Sequence, residues 1–319
     1  MKNGKTWILG SVLLVASVSM SCRDPVKPEP AAKTDVASSE RRFPAKGVVL
    51  EVAREGKKVK IAHEKIPGYM EAMTMTFAVK DERELAGLQA GDSIAFRLIV
   101  TKEDGWIDQI QKLAAVTNAA PAAAPTPDTF RRVRDVDPLK VGDLVPEYRF
   151  TNELGQVVRL GDFKGTAVAL TFIFTRCPFP TFCPRMSSNF EQAQKQLKAL
   201  PNSPANWHLL TLTFDPQFDT PAVLKGYAQN HGYDPGHWSF LTGDLIEITA
   251  IAEQFGLMFW RPDPKEVTGI SHNLRTVVLD AQGRVQKVFT ENEWKVEDLV
   301  SEIVKSAQVP PKPADRSSK

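Results

Sequence analysis

Cysteine is scarce in this chain: 319 residues carry three, at Cys22, Cys177 and Cys183. At most one intramolecular disulfide can close, and one cysteine is left over whichever pair is joined. A surplus of charge is missing too. Forty Lys and Arg against 38 Asp and Glu leave a net charge of +2. No basic stripe with interleaved aromatics occurs, so nucleic acid is not an expected partner. The apolar run from Trp7 to Val18 is too short to span a bilayer. Function must then come from local constellations.

The first of these is the N-terminus. Lys2 and Lys5 precede the apolar run, and Ser19-Met20-Ser21 follow it. Positive start, apolar middle and small residues at the cut describe a secretory signal, with an uncleaved anchor helix as the alternative that length disfavours. Cys22 resembles the acylated cysteine of a lipoprotein box, with Ser21 before the cut and Ser19 where leucine usually stands. Ordinary cleavage after Ser-Met-Ser remains open. Lipid on Cys22 would account for the odd cysteine and hold the protein to a membrane. The expectation is an exported protein, anchored on the periplasmic face.

Composition then divides the chain. Residues 1–21 read as signal and 22–42, rich in Pro, Lys, Ala and Ser, as a flexible tether. Residues 118–129 (NAAPAAAPTPDT) read as a linker stiffened by proline, and 309–319 as a polar tail. Two globular parts remain. In 43–117, five segments beginning at Gly47, Lys57, Met73, Ser93 and Trp106 alternate with the period of half-buried strands, separated by Gly-containing turns. This predicts a small OB-like β-barrel. In 130–308, strands at 167–174, 207–214 and 238–242 alternate with helices after Pro184, Pro221 and Leu245. A hairpin across Ala281-Gln282-Gly283 and a last helix through Val296, Leu299 and Ile303 complete the order of a thioredoxin-like α/β domain.

Cys177 and Cys183 flank five residues where a strand gives way to a helix. The helix start favours a thiolate at Cys183, and thiolate is both the nucleophile of disulfide exchange and a soft ligand for Cu(I). In an exported chain a structural disulfide is an equal reading. His272 stands on a loop at a strand end, where a histidine can enter a site or simply pack. His208, His231 and His237 have no such setting and read as structural. The segments VALTFIFTRCPFPTFCPRMSSNF, LTFDPQFDTPAVLKGYA, WSFLTGD and ISHNLRTVVLDAQGRV, in that order, resemble the Sco/SenC family over roughly 138–307. The resemblance implies a thioredoxin-like fold, a part in building the CuA centre of cytochrome c oxidase, and copper held by Cys177, Cys183 and His272. It also places Asp215 beside the site. The family usually has three residues between its cysteines; here there are five.

The barrel carries a separate set. Met73 and Met75, two apart, share one strand face, and His63 falls on the inward face with Val59 and Ile61. Imidazole with two thioethers is a soft set suited to Cu(I), although methionine is also a common core filler. The segment IAHEKIPGYMEAMTMTFAV with GDSIAF resembles the CusF family of periplasmic copper-binding barrels over about 46–113. The resemblance implies His63, Met73 and Met75 as ligands and puts Met70 where that family has a tryptophan over the metal, as a fourth soft donor.

Two soft donor sets on one exported chain predict a copper chaperone in which the barrel captures Cu(I) and the second domain passes it on. The expected cargo is Cu(I), or Cu(II) at the two-cysteine site. The expected partners are a cuproprotein acceptor such as a cytochrome c oxidase subunit and a protein thiol reductant. A thiol–disulfide reductase using Cys177 and Cys183 as its redox pair, and a passive copper buffer, are the alternatives.

Overall fold

The computed structural model describes residues 40–70, 72–113, 137–261 and 269–308. Cys22, the signal, the linker 118–129 and the tail lie outside the described residues, as does the tether up to residue 39.

The first part is a closed barrel of β1 (Arg41–Ala53), β2 (Lys58–His63), β3 (Met73–Val79), β4 (Ser93–Val100) and β5 (Gly105–Lys112), in the order β1-β2-β3-β5-β4. All five predicted strands are present. The barrel starts inside the expected tether, because Arg41 and Arg42 already pair with Val100 and Ile99. Closure needs one long strand that pairs on both edges, and β1 does so with β2 and β4, helped by a bulge between Val49 and Glu51. Alternation fills the interior with Val49, Val59, Ile61, Phe77, Ile94, Leu98 and Ile107.

The second part holds a seven-stranded sheet. Its elements are β6 (Arg149–Asn152), β7 (Val157–Arg159), β8 (Ala167–Ile173), α1 (Cys183–Ala199), β9 (Trp207–Thr213), α2 (Pro221–Asn230), β10 (Trp238–Thr242) and α3 (Leu245–Gln254). A two-stranded pair β11 (Phe259–Trp260) and β12 (Ser271–His272) precedes β13 (Arg275–Leu279), β14 (Val285–Thr290) and α4 (Val296–Ala307). The sheet order is β14-β13-β8-β9-β10-β6-β7, with β8, β9 and β10 parallel. Every residue of β8 is buried because helices cover both faces. Phe190, Leu197, Leu224, Leu299 and Ile303 from α1, α2 and α4 pack on one side, and Ile248 and Ile251 of α3 on the other. Two buried polar contacts tie the sheet: Thr171 and Thr276 hydroxyls meet at 2.9 Å, and Trp238 Nε1 donates to Thr211 Oγ1 at 2.9 Å. The β6–β7 hairpin was absent from the sequence reading. Its strands are only four and three residues long, too short to show a period.

His208 on β9 gives this fold a pH dependence. Burial, aided by His237, pushes its imidazole down to about 4, against an ordinary value of 6.5. Its Nε2 lies 2.9 Å from the Ser239 hydroxyl. Between these values the unfolded chain binds a proton that the folded chain refuses. The contribution is therefore fully present above pH 6.5 and is lost as pH falls towards 4. Chemical denaturation at pH 7 and at pH 4.5 should show wild type losing about 2 kcal/mol more than His208→Gln.

Candidate metal centre

Local structure explains how three distant residues converge. Cys177 lies in the turn that follows β8, Cys183 opens α1, and His272 is held by the pairing of β12 with Phe259 of β11. The two Sγ atoms and a ring nitrogen of His272 all lie within 4.8 Å of one another. Cys183 Sγ is 3.6 Å from His272 Nε2. Both thiols are free. Nδ1 of His272 is 2.9 Å from the Asn273 carbonyl oxygen. A carbonyl can only accept, so Nδ1 carries the hydrogen and Nε2 offers its lone pair to the sulfurs. Phe174 and Phe182 set their rings nearly perpendicular to the imidazole at 5.6 and 5.8 Å, and Phe214 lies at 4.9 Å. The centre is walled by apolar rings.

Burial opposes ionisation of both thiols. At Cys177 the neighbouring Cys183 thiol and His272 outweigh that cost and hold its thiol well below the ordinary range. Cys183 is pushed well above it, first by burial and then by the Cys177 sulfur. The pair thus loses its first proton at Cys177. The helix start that favours a thiolate at Cys183 is opposed there by complete burial and by the neighbouring sulfur.

The turn bearing Cys177 is anchored by two buried carboxylates. Asp219 accepts from the Thr175 N–H at 3.1 Å, from the Thr175 hydroxyl, and from Thr213 Oγ1 at 2.5 Å. Asp215 accepts from Arg176 at 2.5 Å and from Arg261 at 2.9 Å. Arg176 also lies over the Phe218 ring at 3.8 Å. Asp215 additionally starts the turn leading to α2, through bonds from the Phe218 and Asp219 amides to its carbonyl. Asp219 escaped the sequence reading. Its only cue was a second carboxylate four residues on, in DPQFD.

In the barrel, His63 is the cross-strand partner of Met73, and Ile61 of Met75. His63 is 3% exposed. Its Nδ1 lies 2.7 Å from the Glu64 carbonyl oxygen, so here too Nε2 is left with the lone pair. That Nε2 is buried without a hydrogen-bond partner. Burial lowers the pKa of the ring and keeps it neutral, as a metal ligand must be. Met70 and Met75 are 5% and 6% exposed, and Met73 is half-buried. Met70 is positioned by a bridge to Ile66. An orphaned imidazole nitrogen beside polarisable thioethers fits a soft monovalent ion. Met70, Met73 and Met75 line a cavity of about 20 Å³ whose other walls include Cys177 and His272. His63 is not among its lining residues.

The remaining histidines are occupied elsewhere. His231 pairs with Glu191 at 3.3 Å and His237 with Asp234 at 3.1 Å. Among the described residues no helix is long and apolar enough to cross a membrane.

Comparison with known proteins agrees with this architecture. Residues 136–308 match the SCO1/SenC family model, and residues 42–112 match that of the copper binding periplasmic protein CusF. The chain is 32% identical over 167 residues to the SCO1 protein homolog of Bacillus subtilis, covering 51% of this chain and 82% of that protein. It is 28% identical over 140 residues to the mitochondrial SCO2 homolog of Bos taurus, covering 43% and 50%. A solved SCO1/SenC family lipoprotein from Bacillus anthracis aligns with 52% of this chain and 96% of its own, at 27% identity and a TM-score of 0.46. The first match spans more than half of the sequence, so this copper-binding chain belongs to the SCO1/SenC family and carries a CusF-like barrel ahead of its thioredoxin-like domain.

Proposed function

We propose that this protein is an exported copper chaperone that takes up Cu(I) and delivers it to a cuproprotein, with the CuA site of a cytochrome c oxidase subunit as acceptor. Cys177, Cys183 and His272 hold the ion for delivery, and His63, Met73 and Met75 hold it in the barrel, with Met70 as a fourth donor. The observation that carries this reading is the approach of two thiols and an imidazole to within 4.8 Å, from two stretches of sequence about ninety residues apart. Two thiolates and one nitrogen suit soft copper, and thioethers select Cu(I). Acylation of Cys22 would keep the protein at the membrane where an oxidase sits. A protein thiol reductant would return the cysteines to the free state that binding requires.

X-ray absorption at the copper edge tests this reading. With one equivalent of Cu(I), wild type should show cysteine sulfur and imidazole nitrogen around the ion. Cys177→Ser should shift the ion to thioether sulfur, His272→Ala should keep cysteine sulfur and lose the imidazole nitrogen, and Met73→Ala should leave the cysteine signature in place. A Cys177→Ser spectrum identical to wild type would overturn the assignment.

The free, adjacent thiols with unequal acidities also favour a second reading, a thiol–disulfide reductase acting on partner cysteines. That chemistry needs no imidazole ligand. A His272→Ala chain that keeps disulfide exchange but no longer supports its acceptor would exclude it.

A further inference from the structure

Copper binding by Cys177 and Cys183 does not require the five residues that separate them. The structure gives those residues another task. Phe179 leaves the thioredoxin-like part and joins the apolar interior of the barrel, where it is 4% exposed. Its ring meets Phe77 edge-on at 6.0 Å. The slot that admits it depends on Gly105 at the start of β5, where a Cβ would sit 2.9 Å from Phe179 Cζ and 3.0 Å from Cε2. One residue earlier, the Pro178 carbonyl accepts a 2.9 Å hydrogen bond from the Tyr69 hydroxyl. The Tyr69 ring is itself stacked on Phe43 at 4.5 Å.

Polar contacts flank this plug. Arg185 donates to the Glu103 carbonyl at 3.5 Å, and Lys58 pairs with Glu293. A crevice of about 930 Å³ runs beside Phe179, between Lys58 and Lys102 on the barrel side and Arg185 and Glu291 on the other. Phe179 enters the barrel at one point of this seam. At that place the cavity of about 20 Å³ has thioether walls on one side and Cys177 with His272 on the other. Its size admits about one water-sized sphere.

We propose that the cysteine loop is a plug that docks the barrel over the thiol site, so that a single Cu(I) crosses from thioethers to thiols inside a closed chamber and reaches an acceptor only after the barrel leaves. The crossing rests on the copper reading above; the plug does not. The ion stays Cu(I) and no electron moves. Thioether Sδ ligands are released as cysteine Sγ ligands bind, and each thiol that binds gives its proton to solvent. The barrel and the acceptor become alternatives for one face of the thioredoxin-like domain.

The test uses the full-length, reduced chain without copper. Iodoacetamide labelling of Cys177, followed by mass spectrometry, should be at least about tenfold slower in wild type than in Phe179→Ala, because labelling tracks the open population. Tyr69→Phe removes one hydroxyl and preserves the ring, and should accelerate labelling about threefold, the effect of one lost hydrogen bond. In a second arm, chains loaded with one equivalent of Cu(I) are mixed with excess bathocuproine disulfonate. Phe179→Ala should surrender its ion at least about tenfold faster than wild type, following the same opening. Equal labelling in all three proteins would overturn the plug even if copper sits on Cys177. Slow labelling of wild type with no copper on Cys177 would uphold the plug and overturn both the crossing and the chaperone reading.

Discussion

His272→Ala should lose Cu(I) at the thiol site by more than about 10²-fold in affinity, beyond the 10–100-fold cost of removing an outer hydrogen-bond partner of a ligand. The argument is geometric. Nε2 is the nitrogen facing the thiols, at 3.6 Å from Cys183, and its tautomer is fixed by the bond to the Asn273 carbonyl. Three phenylalanine rings around the imidazole leave no room for a substitute donor from solvent. Two thiolates alone would still hold the ion, so the expected signature is weakened binding with sulfur only in the coordination shell. Competition with a chromophoric Cu(I) chelator measures the loss. An unchanged affinity would mean that His272 packs beside the site and does not serve it.

Asp219→Ala should destabilise the thioredoxin-like part by about 2–4 kcal/mol, since one buried and two partly buried donors lose their acceptor. Those donors are the Thr175 amide, the Thr175 hydroxyl and the Thr213 hydroxyl. Thr175 stands two residues before Cys177, so the cost falls on the turn that aims the first sulfur. Urea denaturation reads the stability, and the same chelator competition should show weaker Cu(I) binding in protein that is still folded. Asp219→Asn retains one acceptor oxygen and should lose less on both measures. A variant as stable as wild type would show that the three donors find water once the carboxylate is gone.

Much of this was legible before any coordinates. The barrel strands and the alternation of β8, α1, β9, α2 and β10 were visible because buried faces leave a period in the sequence. His63 was placed inward by counting from Val59 and Ile61, and its partner Met73 follows from the same parity. The β6–β7 hairpin was hidden because strands this short carry no period. The surroundings of the thiols were hidden too. Sequence shows that Cys183 begins a helix but not that it is sealed from solvent beside a second sulfur. The greatest gap was the meeting of the two donor sets. Nothing local in TRCPFPTFC indicates that the Phe179 ring enters another β-structure. Gly105 likewise read as an ordinary turn glycine, whereas its missing side chain is what makes the slot.

The burial of Met70 and Met75 has a further consequence in an oxidising compartment. Thioethers convert to sulfoxides where peroxide can touch them, and a sulfoxide presents an oxygen in place of a soft sulfur lone pair. Among the described methionines Met258, 52% exposed and not among the residues lining that cavity, is the natural first target. While the barrel stays seated, oxidative damage would be absorbed there, and the sulfurs that handle the ion would age more slowly than the surface around them.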